Sequence, residues 1–533
     1  MLPALALTFS GSVRAVFVRP ALATGQRLAQ PVAAGGMLSQ NPGKTCVFAM
    51  IELIVIYWPL FTTAVVGIVA IVLVGSVILH KRDEGAAIAW VGLILLLPVV
   101  GAVAYLLFGI NRIRRRAVRT RVGSITPADW NPALDASEPL VVGVDALEEN
   151  SPAFMRQRLL DALTTNPLVS RNTVRVLHNG DEAYAAMLEA IDGAAHSIAL
   201  ASYIFKSDKI GREFVARLEA AEVRGVAVRV LVDGAGEMYS FPHISRLLRT
   251  NAIPFARYLH SFWPWRMPYL NLRNHRKILV IDGKVGFTGG INISQANLLK
   301  SDPSRPVRDL HFAFGGPIVS QLMENFADDW AFTTQELLDG ERWFPAPETQ
   351  GEVKARAIPS GPHESIDRMR WVLHAAISQA RSRICIMTPY LLPDEILISA
   401  LRLAAIRGVR IDILIPQRSN LRFVDWAARA RLDELLVDGC HIWFGPHPFN
   451  HSKLMLVDED WALVGSSNWD PRSLRLNFEL NVECQSPVLV RELHVCFEAE
   501  RASARAVTLE DMTRRSMAVR LRDGIARLFS PYL

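Results

Sequence analysis

Two stretches of the chain carry the same polar residues at the same spacing. NHRKILVIDGKVGFTGGIN supplies His275, Lys277, Asp282, Gly289, Gly290 and Asn292, and NHSKLMLVDEDWALVGSSN supplies His451, Lys453, Asp458, Gly465, Ser466 and Asn468. Along an extended strand, residues i and i+2 face the same side, so each histidine projects together with its lysine. The Gly-Gly-x-Asn and Gly-Ser-x-Asn turns bring backbone and amide donors close to an anion. Two imidazoles, two ammonium groups and two asparagines converging on one point form a site for a phosphodiester. One neutral imidazole attacks phosphorus, while the other, protonated, gives its proton to the departing alcohol. The lysines neutralise charge on the phosphoryl oxygens, so the chemistry asks for no metal and no other cofactor.

Each histidine also needs an acid to fix its tautomer and stabilise the imidazolium form. Asp309 in VRDLH and Glu479 in LNFEL are the candidates, 17 and 11 residues beyond Asn292 and Asn468. Asp282 and Asp458 belong to the catalytic set by spacing, with the turn beneath the site as their expected place. Because both histidines share a pocket with two lysines, their titrations are coupled and a bell-shaped pH profile is expected.

The elements that position these residues are duplicated. AIDGAAHSIALASYIF followed by ARLEAAEVRGVAVRVLVDG in the first half corresponds to AAISQARSRICIMTPYL followed by ALRLAAIRGVRIDILIP in the second. Each copy has a helical period ending in Arg-Gly-Val (Gly225, Gly408) and then a β-branched run, which reads as a capped helix and a buried strand. Strand, helix, strand in that order predicts a parallel sheet with right-handed crossovers and two α/β lobes. With 533 residues the chain exceeds what one hydrophobic core supports.

Half of the residues are apolar, and much of that is concentrated near the amino terminus. Residues 53–79 and 85–110 carry no charge, and each run exceeds the roughly 20 residues that cross a bilayer. Only five residues, 80–84, separate them, which predicts a transmembrane hairpin with Pro98 kinking its second helix. Arg112, Arg114, Arg115, Arg116, Arg119 and Arg121 follow it, and Arg14, Arg19, Arg27 and Lys44 precede it. By the positive-inside rule, both ends and the catalytic lobes face the cytoplasm. The arginine cluster and the formal charge of +6 favour an anionic partner, either nucleic acid or acidic lipid. The five cysteines are odd in number and show no C-x-x-C spacing, so neither a disulfide framework nor a zinc site is indicated. The expected division is therefore a disordered or mis-started extension (1–50), a transmembrane hairpin (51–112), a basic linker (113–150) and two lobes (151–345 and 346–533). An aromatic run, FWPWRMPY (262–269), suits a loop at the lipid interface.

Paired His-x-Lys-x4-Asp motifs resemble those of the phospholipase D superfamily. RNHRKILVIDG with FTGGIN, GSSNWDPRS with LNFE, the paired apolar helices and the terminal ARLFSPYL look specifically like bacterial cardiolipin synthases. The resemblance runs from about Leu53 to Leu533. It implies two phospholipase D-like α/β/α lobes with pseudo-twofold symmetry, placed in the bacterial inner membrane by the hairpin. It also implies a reaction that joins two phosphatidylglycerols into cardiolipin and releases glycerol, on an anionic lipid membrane and without nucleic acid. By analogy His275 is the nucleophile and His451 the general acid and base, although the symmetry of the motifs permits the reverse. Val307 stands where the family carries Trp, and ISQANLL follows Asn292 in place of an acidic-aromatic sequence. Hydrolysis by a phospholipase D or nuclease, transfer to another alcohol, and a non-catalytic membrane scaffold are the competing functions. The hairpin argues against a nuclease, and two intact motifs argue against a scaffold.

Overall fold

A computed structural model describes residues 42–81, 84–108, 141–143, 151–259, 272–349, 351–362 and 367–530. Most of the expected linker 113–150, the aromatic run 262–269 and residues 1–41 of the expected extension lie outside the described residues.

The strands, in chain order, are β1 (Val169–His178), β2 (Ser197–Ser202), β3 (Ala227–Asp233), β4 (Phe255–Tyr258), β5 (Ile278–Ile281), β6 (Val285–Gly289), β7 (Val307–Arg308) and β8 (Leu310–Gly315) in the first half. The second half holds β9 (Val353–Ser360), β10 (Arg383–Met387), β11 (Arg410–Pro416), β12 (His441–Gly445), β13 (Phe449–Asn450), β14 (Leu454–Val457), β15 (Trp461–Gly465), β16 (Glu479–Gln485) and β17 (Arg505–Val507). Fifteen of them form one sheet in the order β17-β12-β11-β10-β14-β15-β16-β9-β1-β8-β6-β5-β2-β3-β4. Apart from β17, which adds antiparallel outside β12, the two ends match: β2-β3-β4 and β10-β11-β12 are parallel runs, and β5 and β14 then add antiparallel beside β2 and β10. The parallel sheet expected from the duplicated repeat therefore holds only for those outer strands. The motif strands return by tight turns and so pair antiparallel.

The two half-sheets meet where β1 pairs with β9, across a register irregularity between Val169 and Asn172. Both faces of the sheet are covered, which explains why the motif strands are apolar throughout rather than alternating. Ile278 and Val280 of β5, and Leu454 and Leu456 of β14, point into a core that both halves share, built on helices Ile318–Thr334 and Pro487–Ala502. Leu279 and Ile281 point instead into a core of the first half, and Met455 and Val457 into one of the second. Each fully buried Phe, Leu or Ile stabilises by about 1.5–3 kcal/mol. At the seam, Arg356 is bound between Glu483 (3.0 Å) and Asp161 (2.7 Å), so its buried guanidinium is neutralised.

The repeat glycines Gly225 and Gly408 take positive φ, 89° and 92°, immediately after their helices, as the Arg-Gly-Val pattern predicts. Asp282 and Asp458 both adopt φ 51° just past their strands. The Asp282 carboxylate accepts from the backbone N–H groups of Ala195, His196 and Ser197 at 2.7–2.9 Å. That of Asp458 accepts from Arg381, Ser382 and Arg383. Each aspartate thus ties the motif strand to the start of its antiparallel neighbour, β2 or β10.

In the amino-terminal region the first helix runs Pro42–His80, so it begins within the expected extension 1–50. Its Tyr57–His80 portion has a mean hydropathy of 2.6 and is long enough to cross a membrane. The second apolar run is two helices, Glu84–Leu96 and Pro98–Phe108, which meet at Leu97 where Pro98 interrupts the run. Proline lacks the N–H that would continue the ladder and crowds the preceding turn. Gly101 follows at the break, where a β-carbon would lie 2.6 Å from the Leu93 carbonyl oxygen. The helices pack on one another through Leu73, Val77, Trp90, Ile94 and Tyr105.

Replacing Asp282 with Ala strands three backbone N–H groups at the head of β2 and is expected to cost about 2–3 kcal/mol of stability. Thermal unfolding checks this, and the specific activity of the folded fraction is expected to stay within a few-fold of the parent.

Candidate active site

His275 and Lys277 lie on the extended segment that leads into β5, and His451 and Lys453 on the one that leads into β14. Neither segment is held by its own half alone. The His275 N–H donates to the Phe478 carbonyl at 2.8 Å, and Asn274 bridges in parallel to Phe478. The His451 N–H donates to the Arg308 carbonyl at 2.7 Å, and β13 pairs in parallel with β7.

The residues receiving those bonds immediately precede Glu479 and Asp309, so the strand pairing delivers each carboxylate to the other half's histidine. Nδ1 of His275 is 2.9 Å from Oε2 of Glu479, and Nδ1 of His451 is 2.8 Å from Oδ2 of Asp309. Both acids are buried. Burial alone would raise their pKa values. For Asp309 the charge of Lys453 and the His451 hydrogen bond outweigh it, and for Glu479 the His275 and Lys277 charges do, so both sit below the usual carboxylate range.

Nδ1 is therefore committed on both rings, which leaves Nε2 as the reacting nitrogen. The two rings differ in one respect. Each lysine ammonium donates to the carbonyl oxygen of its own histidine, Lys277 at 2.6 Å, but that of Lys453 also lies 2.8 Å from Nδ1 of His451. Burial pushes both histidines down to about 4. For His275, Glu479 opposes the shift and Lys277 adds to it; for His451, Lys453 adds to it and Asp309 opposes. Burial also lowers Lys277 to about 7 and Lys453 to about 8 against the opposing pull of the two acids. The charge of Lys453 is felt at His275 and that of Lys277 at His451, so one electrostatic pocket contains both pairs.

The Gly-rich turns build the floor of the pocket. A β-carbon on Gly290 would fall 2.2 Å from Oδ1 of Asp309, so only glycine leaves room for that carboxylate. At the corresponding position of the second motif, the Ser466 hydroxyl donates to Glu479 at 2.5 Å. Oδ1 of Asn292 accepts from the Ile204 N–H at 3.2 Å, fastening its turn to the end of β2. Asn468 is buried beside Lys453 in the lining of a small cavity, with its amide directed to Ser473 at 3.2 Å.

Of the residues singled out by spacing, the structure gathers His275, Lys277, His451, Lys453, Asp309, Glu479, Gly290 and Ser466. Asp282 and Asp458 fall elsewhere. Each lies seven residues beyond its histidine, roughly 20 Å along an extended chain at about 3.3 Å per residue, and is occupied by backbone N–H groups. Their expected place beneath the site is corrected to the opposite end of the strand.

Spacing did not reveal the aromatic wall. The Tyr203 ring lies 4.7 Å from the His275 ring, and Tyr390 lies 6.3 Å from His451. Phe205 and Leu391 make equivalent bridges, to Ile293 and Trp469, which puts the two tyrosines one residue out of register. The duplication alone therefore gives no signal for them.

The family described as "Cardiolipin synthase, PLD-like domain" matches residues 187–330 and 373–501, and "Phospholipase_D-nuclease N-terminal" matches residues 68–109. The chain is 33% identical to cardiolipin synthase A of Pseudomonas fluorescens over 86% of its own length and 94% of that protein's. It is 32% identical to a cardiolipin synthase of Geobacillus kaustophilus, covering 85% and 90% of the two chains. Among solved structures, phosphatidylserine synthase of Haemophilus influenzae shares the fold, with a TM-score of 0.56 at 14% identity over 71% of this chain and all of that one. The amino-terminal match coincides with the apolar helices that associate the chain with a membrane. Two histidines in one pocket, each completed by a carboxylate from the opposite motif, accompany a match covering about half the chain; the protein belongs to the cardiolipin synthase family of phospholipase D-like proteins.

Proposed function

We propose that the protein transfers a phosphatidyl group from one phosphatidylglycerol to another, producing cardiolipin and glycerol through a phosphohistidine on His275. The observation that supports this most directly is the pair of crossed imidazole–carboxylate contacts, in a pocket with two lysines, on a chain whose relatives are named cardiolipin synthases.

In this reading Glu479 holds a proton on Nδ1 of His275, and the lone pair of Nε2 attacks phosphorus. The bond from phosphorus to the glycerol oxygen breaks, and that oxygen takes a proton from Nε2 of His451. The Asp309 carboxylate accepts from Nδ1 of His451 and stabilises the imidazolium form that carries a proton on Nε2 as well, which supports the acid role for this histidine. A hydroxyl of the second phosphatidylglycerol then passes its proton to His451 while its oxygen attacks phosphorus, and the bond to His275 breaks. Lys277 and Lys453 stabilise the equatorial oxygens throughout. Gly290, Ser466, Asn292 and Asn468 shape the pocket, and Asp282 and Asp458 act on the fold rather than on the substrate.

Residues 151–345 and 346–533 are read as two lobes related by a pseudo-twofold axis, a reading supported by the matching strand order. The membrane hairpin brings the lobes to their lipid, with both of its ends in the cytoplasm on the charge asymmetry of the flanking sequence.

Phosphatidylglycerol given alone to the purified enzyme is expected to yield cardiolipin and free glycerol by lipid mass spectrometry. Phosphatidic acid as the sole product would make the enzyme a hydrolase. His275→Ala is expected to abolish turnover and acid-labile labelling by phosphorus-labelled lipid, and His451→Ala to retain labelling but release it slowly. Lys277→Ala is expected to lower kcat by about 10²–10³, as loss of one oxyanion donor does. The nucleophile works unprotonated and the lysines protonated. The acid His451 must also be protonated, so kcat/KM is expected to rise with pH as His275 loses its proton at about 4, and to fall on the alkaline side as the proton on His451 and then those on the lysines, at about 7–8, are lost. Because Glu479 raises the pKa of His275, Glu479→Gln is expected to move the acidic limb lower still while reducing kcat.

A further inference from the structure

Each reacting histidine is joined to the protein surface by a short chain of contacts, and both chains end on exposed apolar side chains. From His275 the path runs through the Tyr203 ring, 4.7 Å away, to Tyr239, whose ring lies 6.2 Å from that of Tyr203. Tyr239 belongs to the loop after β3, on which Met238 is 72% and Phe241 90% exposed. From His451 it runs through Tyr390, whose ring lies 6.3 Å away and whose hydroxyl donates to Oδ1 of Asn420 at 2.7 Å. Asn420 belongs to the loop after β11 and is followed by the exposed Leu421 and Phe423. β3 and β11 are the middle strands of the two parallel runs, so both halves place an apolar loop at the mouth of the same pocket.

The helix Met517–Leu528 extends this rim. The Phe529 ring packs 5.6 Å from that of Phe423, and Ala526 is buried with Ala427 and Ala428 of the helix Arg422–Arg429. A helix on the surface of a soluble domain turns its apolar stripe towards the core. Here the stripe faces outward. Met517, Leu521, Ile525 and Leu528 recur at helical spacing on one side, with Met517 75% and Leu521 62% exposed. The buried side instead holds Ala526 and the Asp523 carboxylate, which binds Arg515 at 3.0 Å and Arg522 at 2.7 Å. Exposed arginines border the apolar groups: Arg520, Arg522 and Arg527 on this helix, and Arg418 and Arg422 beside Leu421.

An exposed apolar stripe bordered by arginine suits the boundary between acyl chains and anionic headgroups, where the stripe leaves water and the guanidiniums meet phosphates. A bilayer is close by, because the helix portion Tyr57–His80 is long and apolar enough to cross one. We infer that the loops after β3 and β11, together with the helix Met517–Leu528, form a second membrane contact that seats the mouth of the pocket on an anionic lipid surface. The contact rests on the phosphatidyl-transfer reading for its purpose, which is to bring both histidines to a phosphate held in the headgroup layer.

The test reconstitutes the full-length enzyme in vesicles of phosphatidylcholine and phosphatidylglycerol, with bimane attached to Phe241→Cys, Leu521→Cys or Val223→Cys and the signal of the equally treated parent subtracted. Val223 is 86% exposed but precedes β3, at the opposite end of that strand from the rim. Lipid carrying a nitroxide near its headgroup is expected to quench the labels at positions 241 and 521 about threefold more than the label at 223, and less in vesicles of phosphatidylcholine alone. Equal quenching at all three positions overturns the contact, whatever reaction the enzyme performs. A label at 521 that is shielded in detergent and untouched by the nitroxide, on a particle of doubled mass, assigns the stripe to a second copy of the chain and also overturns it. Leu521→Glu combined with Ile525→Glu is expected to slow release of labelled glycerol from vesicle phosphatidylglycerol about tenfold, and from monodisperse dihexanoyl phosphatidylglycerol less than about twofold. Equal loss on both substrates makes the stripe part of the fold and overturns the proposal. Transfer and hydrolysis both free glycerol, so failure of the cardiolipin reading leaves this comparison intact.

Discussion

Each imidazole in the pocket finds its Nδ1 partner in the other half of the chain, and that crossing governs the rest of the structure. A buried carboxylate with no partner costs several kcal/mol, as does a buried ammonium. Asp309 and Glu479 are both buried, so neither half can bury its own acid at low cost until the opposing histidine and lysine arrive. The parallel pairing of β7 with β13, and of Asn274 with Phe478, brings backbone and carboxylate together in one step. The continuous sheet across β1 and β9, and the core that both halves share, hold the crossing in place.

Charge in the resting pocket is nearly balanced. Two carboxylates oppose two lysines, and burial keeps both imidazoles neutral. Arrival of a phosphodiester adds a negative charge beside His451 and the lysines, which favours their protonated forms at the moment a proton donor is needed. The same burial that makes the lysines reluctant cations in the empty site strengthens their grip on an anion, because little water remains to screen the interaction. A pocket walled by Tyr203 and Tyr390 and floored by Gly290 and Ser466 also suits an alcohol acceptor in competition with water.

The apolar amino-terminal helices and the sheet solve different problems. The first apolar helix satisfies its backbone internally over a length that spans a bilayer. The second segment breaks at Leu97, because Pro98 removes one ladder bond there. No such break interrupts the motif strands, where apolar side chains on both faces lock the register and hold each histidine in step with its lysine.

The sequence by itself determined the local chemistry. The spacing of His275 with Lys277 and of His451 with Lys453 fixes which side chains share a strand face, since the period of a strand is two. The Arg-Gly-Val repeats likewise announce helix ends at Gly225 and Gly408. The apolar runs show that both faces of the sheet are covered, and Asp309 and Glu479 could be named as the acids by their offset. Only the tertiary structure decided which acid serves which histidine, because that depends on pairing between segments 142 and 204 residues apart. It also moved Asp282 and Asp458 away from the site, since distance along an extended strand does not show in a motif. The same holds for Tyr203: a ring that packs against an imidazole from a neighbouring strand has no period to reveal it.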